Sequence, residues 1–195
     1  MNPITHFLIG WGVANSANLD RRDRALVSIA GIAPDIDGLG ILSDLATAGT
    51  GHATEWWGTY HHVLGHNVTF GVLVTAVAAR RANRRPLVAA LAFLSFHLHL
   101  LGDVIGSRGP DGYQWPIPYL EPFSDSWQWV WSAQWALNSW PNFVITSVLL
   151  ALTLYWASRR GYSPLGLISD RADRAFVEAL RSRFGPSHPS PSGAA

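Results

Sequence analysis

Residues 126–158 carry no Asp, Glu, Lys or Arg, and residues 1–19, 56–79 and 86–102 share that property. A helix that crosses a bilayer needs about 20 mostly apolar residues, with about 17 as the lower end. Four stretches come near that length. A fifth, residues 25–42, is apolar but interrupted by Pro34, Asp35 and Asp37. A soluble helical protein with an unusually apolar core would show a similar pattern, so the placement of the few charges carries the argument. The chain has 14 Arg, no Lys and 13 acidic residues, and only 14% of its 195 residues are charged, against about 25% in an ordinary soluble domain. That excludes a disordered chain and a nucleic-acid binder that works through a dense basic face. With no Cys, a disulfide scaffold, thiol catalysis and Cys-ligated zinc are excluded too.

The arginines fall in clusters: Arg21, Arg22 and Arg24; Arg80, Arg81, Arg84 and Arg85; Arg159 and Arg160; Arg171, Arg174, Arg181 and Arg183, with Arg108 apart. Basic residues mark cytoplasmic loops. With the clusters inside, the chain threads consistently through five helices, near 3–17, 25–42, 61–79, 86–105 and 141–157. The outer segments, 43–60 and 106–140, then hold eight of the ten Trp. Trp gathers at membrane interfaces because its ring is apolar and its N–H is not; a buried aromatic core is the other reading of the same residues. Residues 1–17 lack a basic region ahead of their apolar run, which argues against a cleaved signal peptide. Ser169 is placed to cap an amphipathic helix from Asp170 to about Phe184, with Phe176, Leu180 and Phe184 on one stripe. The expected fold is all-α: a polytopic membrane helical bundle of about five helices plus a C-terminal amphipathic helix. It forms one domain over 1–184, and 185–195, which include His188, form a disordered tail.

Ionisable residues inside the apolar stretches are costly in lipid and mark functional interiors. Here they are His6, Asp35, Asp37, His61, His62, His66, His97, His99 and Asp103. Counted from the nearest Arg cluster at about 1.5 Å per residue, His6, Asp37, His66 and His99 each lie roughly 20–22 Å deep, Asp35 about 17 Å, and Asp103 and His61 about 27–28 Å. Residues distant in sequence therefore fall in the outer half of one bundle. His99 and Asp103, at i and i+4, share a helix face, as do His62 and His66. Pro34 and Gly38 bracket Asp35-Ile36-Asp37, which predicts a helix end or kink that frees both carboxylates to turn inward. A His/Asp set without Cys suits zinc, manganese or iron, and clustered carboxylates suit two cations. No G-x-S-x-G elbow, Walker loop or dinucleotide fingerprint is present, so metal-assisted hydrolysis is the enzyme chemistry these residues favour.

Four motifs carry a resemblance: Thr5-His6 with Gly10, Ala33-Pro34-Asp35-Ile36-Asp37, His61-His62-Val63-Leu64-Gly65-His66-Asn67, and Ser95 through Asp103, followed by Trp115-Pro116. Over residues 1–120 the chain resembles the bacterial membrane-bound metal-dependent hydrolases, which include LexA-binding inner-membrane hydrolases and are similar in turn to zinc-dependent phospholipase C. The resemblance implies a multi-pass protein of the inner membrane. It implies metal ligation by His6, Asp35, Asp37, His61, His66, His99 and Asp103, with Asp35, Asp37 and Asp103 as catalytic carboxylates. The implied cofactor is a divalent metal, zinc first, then manganese or iron. The implied partners are membrane lipid and a small-molecule or lipid substrate, with no nucleic acid. Three positions depart from the family pattern: His62 stands where it has Arg, Gly65 where it has Thr, and Asn67 where it has Ser. Arg108 is a substitute for that Arg as a phosphate clamp. A non-catalytic protein whose His/Asp site only staples helices, and an ion or proton transporter through the same polar layer, remain as alternatives.

Overall fold

Asn2 opens the first helix, α1 (Pro3–Ala14), by accepting the Thr5 N–H, with Pro3 in the first turn where its missing donor costs nothing. The computed structural model describes residues 1–109 and 111–184; the tail 185–195, with His188, lies outside the described residues. Asp20 caps α2 (Arg21–Ala30) and also accepts from the Asn83 side chain at 2.7 Å. The Asp23 N–H bond and then the Asn83 bond hold the Asp20 carboxyl below its ordinary range. A 3-10 turn, Ala33–Leu39, follows, then α3 (Gly40–Thr47) and the short α4 (Trp56–Tyr60). Asn67 caps α5 (Val68–Arg81) by accepting the Phe70 N–H. The long α6 (Arg85–Gly106) and α7 (Trp140–Arg160) come next, then a second 3-10 turn, Pro164–Leu167, and α8 (Asp170–Phe184). Among the described residues between α6 and α7 the β-type pairings are isolated bridges, such as Ile117 against Trp129. The all-α expectation holds among the described residues.

Two expected helices differ in detail. The second breaks: α2 and the segment 33–47 are bent by 54°. Pro34 accounts for it, because its ring excludes the donor a continuous α-helix needs. The third begins at Val68 rather than near His61, since Asn67 closes its N-terminus and His62 adopts φ +69°, which is incompatible with a helix. Among the described residues two helices, α6 and α7, are long and apolar enough to cross a membrane, or three spans if the bent pair counts as one; α1 is apolar but shorter. The loop 61–67 lies outside these spans.

Contacts divide the chain into two compact units, Met1–Leu149 and a second that starts at Leu150. In the first, α1, α2, α5 and α6 pack together around Ala14, Val27, Ala30, Ala78, Val88 and Ala92. Small residues permit the close approach of α1, α2 and α6: a Cβ on Gly10 would lie 2.8 Å from the Ser28 carbonyl and 2.9 Å from Ser95 Oγ. Buried Asp23 accepts the backbone N–H groups of Asn83 and Arg84 at 2.8 and 2.9 Å, fixing α2 to the turn between α5 and α6. The outward residues are apolar instead: Val72, Leu73 and Val77 on α5, and Phe93, Leu94 and Leu101 on α6, are exposed. In the second unit Asp173 accepts both the N–H and the hydroxyl of Ser163, at 2.7 and 2.6 Å, which docks α8 on the second 3-10 turn. Val177 is its buried apolar contact; along the expected amphipathic stripe Phe176 and Leu180 are half-buried and Phe184 is exposed.

The Trp residues divide between the two readings. Trp56, Trp127, Trp131 and Trp140 are exposed, while Trp57, Trp115, Trp129 and Trp135 are partly buried in ring contacts.

A candidate metal centre between the kinked segment and the long helix

The kink after α2 turns Asp35 and Asp37 inward, the loop ahead of α5 brings His61, His62 and His66, α6 presents His99 and Asp103, and α1 presents His6. The seven residues expected as ligands thus meet in one cluster, in which His6, His66, His99 and Asp103 are almost wholly buried.

The hydrogen bonds decide which atoms remain bare. A carbonyl oxygen only accepts, so His99 donates its Nδ1–H to the Gly31 carbonyl at 2.8 Å and its Nε2 lone pair points the other way. His66 Nδ1 is 3.0 Å from Asp37 Oδ2 and donates to it, which likewise frees His66 Nε2. Asp37 is fully engaged: it accepts from His66, from His61 Nδ1 at 2.8 Å and from the Gly65 N–H at 2.8 Å. Asp103 is used on one side only. Its Oδ1 takes the Met1 amine, the Ser107 hydroxyl at 2.7 Å and His6 Nε2 at 3.1 Å, while its buried Oδ2 has no hydrogen-bond partner.

Four bare atoms therefore converge. His66 Nε2 and His99 Nε2 are 3.1 Å apart; Asp103 Oδ2 lies 3.0 Å from His99 Nε2 and 3.4 Å from His66 Nε2; Asp35 Oδ1 lies 3.7 Å from His99 Nε2. Lone pairs held this close repel unless a proton or a cation lies between them. A tetrahedral zinc site with bonds near 2.05 Å has ligand-to-ligand edges of about 3.3 Å, and the four distances bracket that value. Each imidazole also gives its second nitrogen to a carbonyl or carboxylate, the arrangement that orients metal-bound histidines. The donor set fits a divalent cation held by Asp35, His66, His99 and Asp103. A second grouping, Asp37, His61 and His66, shares His66, but its polar atoms already satisfy one another, so Asp37 and His61 act first to hold that ring. His6 stacks on His99 with centroids 3.7 Å apart and steadies the far oxygen of Asp103.

Electrostatics in the loop match this picture. Burial opposes a charge on His66, but the Asp103 carboxylate 3.4 Å from its Nε2 and the hydrogen-bonded Asp37 carboxylate outweigh burial and push its pKa up to about 9. Without a cation the carboxylates thus recruit a proton. Burial drives His62 the other way, well below the ordinary imidazole range, so it is neutral. Asp35 is the most accessible of the four candidate ligands, its side chain 18% exposed, and Trp57 and Trp115 pack at the rim against His61 and His62.

Among the other expected residues, His97 faces away: it donates to the Phe93 carbonyl and accepts from the Tyr119 hydroxyl, both at 2.8 Å. Sequence reasoning missed Ser107, Gln134 and the carbonyl of Gly31. Ser107 was detectable, one turn beyond Asp103 on the same face. Gln134, whose amide donates to the Asp103 carbonyl at 2.8 Å, comes from the irregular Trp-rich segment and had no sequence signal.

A family model described as "YdjM inner membrane protein" matches residues 1–169. No curated protein and no solved structure matches the chain.

Proposed function

The chain belongs to the YdjM inner membrane protein family, and from that premise we propose that it is a multi-pass, metal-dependent hydrolase acting on a phosphoester or lipid at the membrane interface. The observation that carries this reading is the convergence of His66 Nε2, His99 Nε2, Asp103 Oδ2 and Asp35 Oδ1, bare atoms whose spacing suits one small dication. Zinc is the first choice for two imidazoles and two carboxylates, with manganese or iron next. Bound there, the cation would supply a Lewis acid that acidifies water and polarises a phosphoryl or carbonyl oxygen.

The chain's own groups divide the remaining work. Gly31 and Asp37 fix the two imidazoles, and His6 and Ser107 fix Asp103. Asp35, the most exposed of the four ligands, keeps a buried and unpartnered second oxygen beside the site, and is the carboxylate that would take a proton from water there. Ile36, Leu39, Leu42 and Leu45, on the segment that carries Asp35, are exposed and apolar, which favours an amphiphile arriving from lipid. The Arg clusters face the cytoplasm and the centre lies in the opposite half of the bundle.

One observation favours a second reading. Four protein ligands complete a tetrahedron, and closed sites are usually structural; the cation would then only tie the kinked segment to α6 and the loop ahead of α5. The test is to purify the protein in detergent, measure bound metal, and assay phosphoesters with and without chelator. The hydrolase reading expects about one dication per chain and chelator-sensitive turnover. Metal that stabilises without any turnover supports the staple, and a metal-free protein with these side chains intact overturns both.

A further inference from the structure

His62 concentrates two costs on one residue. Its backbone sits at φ +69°, the left-handed region that side-chain-bearing residues rarely adopt, and its side chain is buried with Nδ1 unpartnered. Such outliers persist where the surroundings over-determine them, and they cluster at ligand sites. The surroundings do so here: the His62 ring stacks on His66 with centroids 4.4 Å apart and packs against Trp115 at 5.1 Å and His61 at 4.4 Å. His66 is the imidazole that presents a bare nitrogen to the candidate metal, so the strained residue lies directly against the centre.

Charge gives the reason a donor is needed there. Asp35 and Asp103 together balance one dication, and the Asp37 carboxylate, held by the N–H groups of His61, His66 and Gly65, offsets the Met1 ammonium on Asp103. An anionic ligand therefore meets a centre of little net charge and must be held by hydrogen bonds. Among the described residues no hydrogen bond engages the His62 ring, whose buried Nδ1 is unpartnered, and an imidazole carries at least one N–H whatever its charge.

Resting on the hydrolase reading, we propose that His62 is the ligand-positioning residue of this centre, donating a hydrogen bond to one oxygen of a phosphate ester or of the phosphate it releases. The ring stacks hold it in register, and the left-handed backbone is what lets the chain turn between His61 and His66 while that ring stays on the metal side.

The experiment measures inorganic phosphate binding to the zinc-loaded full chain in detergent micelles, by calorimetry, alongside bound metal and Tm. His62→Phe keeps a ring on His66 and Trp115 but removes both nitrogens; His62→Gly removes the ring and relieves the backbone. Both variants should retain the metal, His62→Gly should match or exceed the wild-type Tm, and in both the Kd for phosphate should rise at least about tenfold. Phosphate binding within twofold of wild type, or loss of metal in His62→Gly, overturns the proposal, as does failure of the metal-loaded wild type to bind phosphate. A wild type that takes up no metal overturns the hydrolase reading itself, and is told apart by the metal measurement.

Discussion

His99 Nε2 lies 3.0 Å from Asp103 Oδ2, one turn further along α6, while His99 Nδ1 is committed to the Gly31 carbonyl. A neutral imidazole with its proton on Nδ1 turns a lone pair toward a carboxylate. Two acceptors in contact call for a cation, and the expectations below depend on which cation is present.

Replacing Asp103 by Asn puts an amide where Oδ2 now stands and removes one negative ligand. Bound zinc, measured by elemental analysis after dialysis against weak chelator, should fall at least about tenfold in affinity, with the chain still folded.

Asp37→Asn leaves the four candidate ligands intact but removes the carboxylate that holds His66 and His61. Outer carboxylates of this kind typically contribute 10- to 100-fold in metal affinity. A loss of about that size in a competition titration is expected, smaller than for His99→Ala.

Stability of the metal-free protein should depend on pH through His66. Its folded pKa is raised from 6.5 to about 9, so its contribution is fully present below pH 6.5 and is lost as pH rises through about 9. The Tm of chelator-treated protein should fall over that window. Metal-loaded protein should lack the fall, because the cation takes the proton's place; thermal melts at pH 6, 7.5 and 9 measure both.

Gly65→Ala tests the approach of the loop to the kinked segment. A Cβ there would lie 2.2 Å from the Pro34 carbonyl oxygen, a backbone atom that cannot swing aside. Overpacking of this type costs about 1–3 kcal/mol. The variant should melt lower and bind metal more weakly, since the strand of chain that moves carries both the Gly65 N–H and His66.

Because the chain contains no Cys, single cysteines report sidedness cleanly. Arg81→Cys, at the exposed end of α5, should react with an impermeant thiol reagent only when the cytoplasmic face is open. Ser126→Cys, in the exposed Trp-rich segment, should react from the opposite face. Labelling of both from one side would end the threading.

The site was legible in part because polarity inside apolar stretches is rare enough to notice. The spacing of His99 and Asp103, and the bracket of Pro34 and Gly38 around Asp35 and Asp37, direct four of the side chains toward one interior. The uncharged stretch 56–79 predicts helix from about His61; the Asn67 cap and the left-handed His62 are local backbone choices that the absence of charge does not reveal. His6 was expected among the ligands and stands one contact away, on Asp103 Oδ1, which depends on the crossing of α1 and α6.

By itself the sequence determined the class and the inventory: long uncharged stretches demand helices that satisfy their own backbone, and ionisable groups within them are kept only if they meet. Which atoms stay bare follows from how the segments pack. Gly31, Asp37 and His6 each take up one side of a ring or carboxylate and leave the other turned inward, and that selection depends on distances between segments 29 to 97 residues apart along the chain. Hydrogen bonds are short and directional, so chemistry that rests on one unpaired nitrogen is fixed by packing, not by residue order.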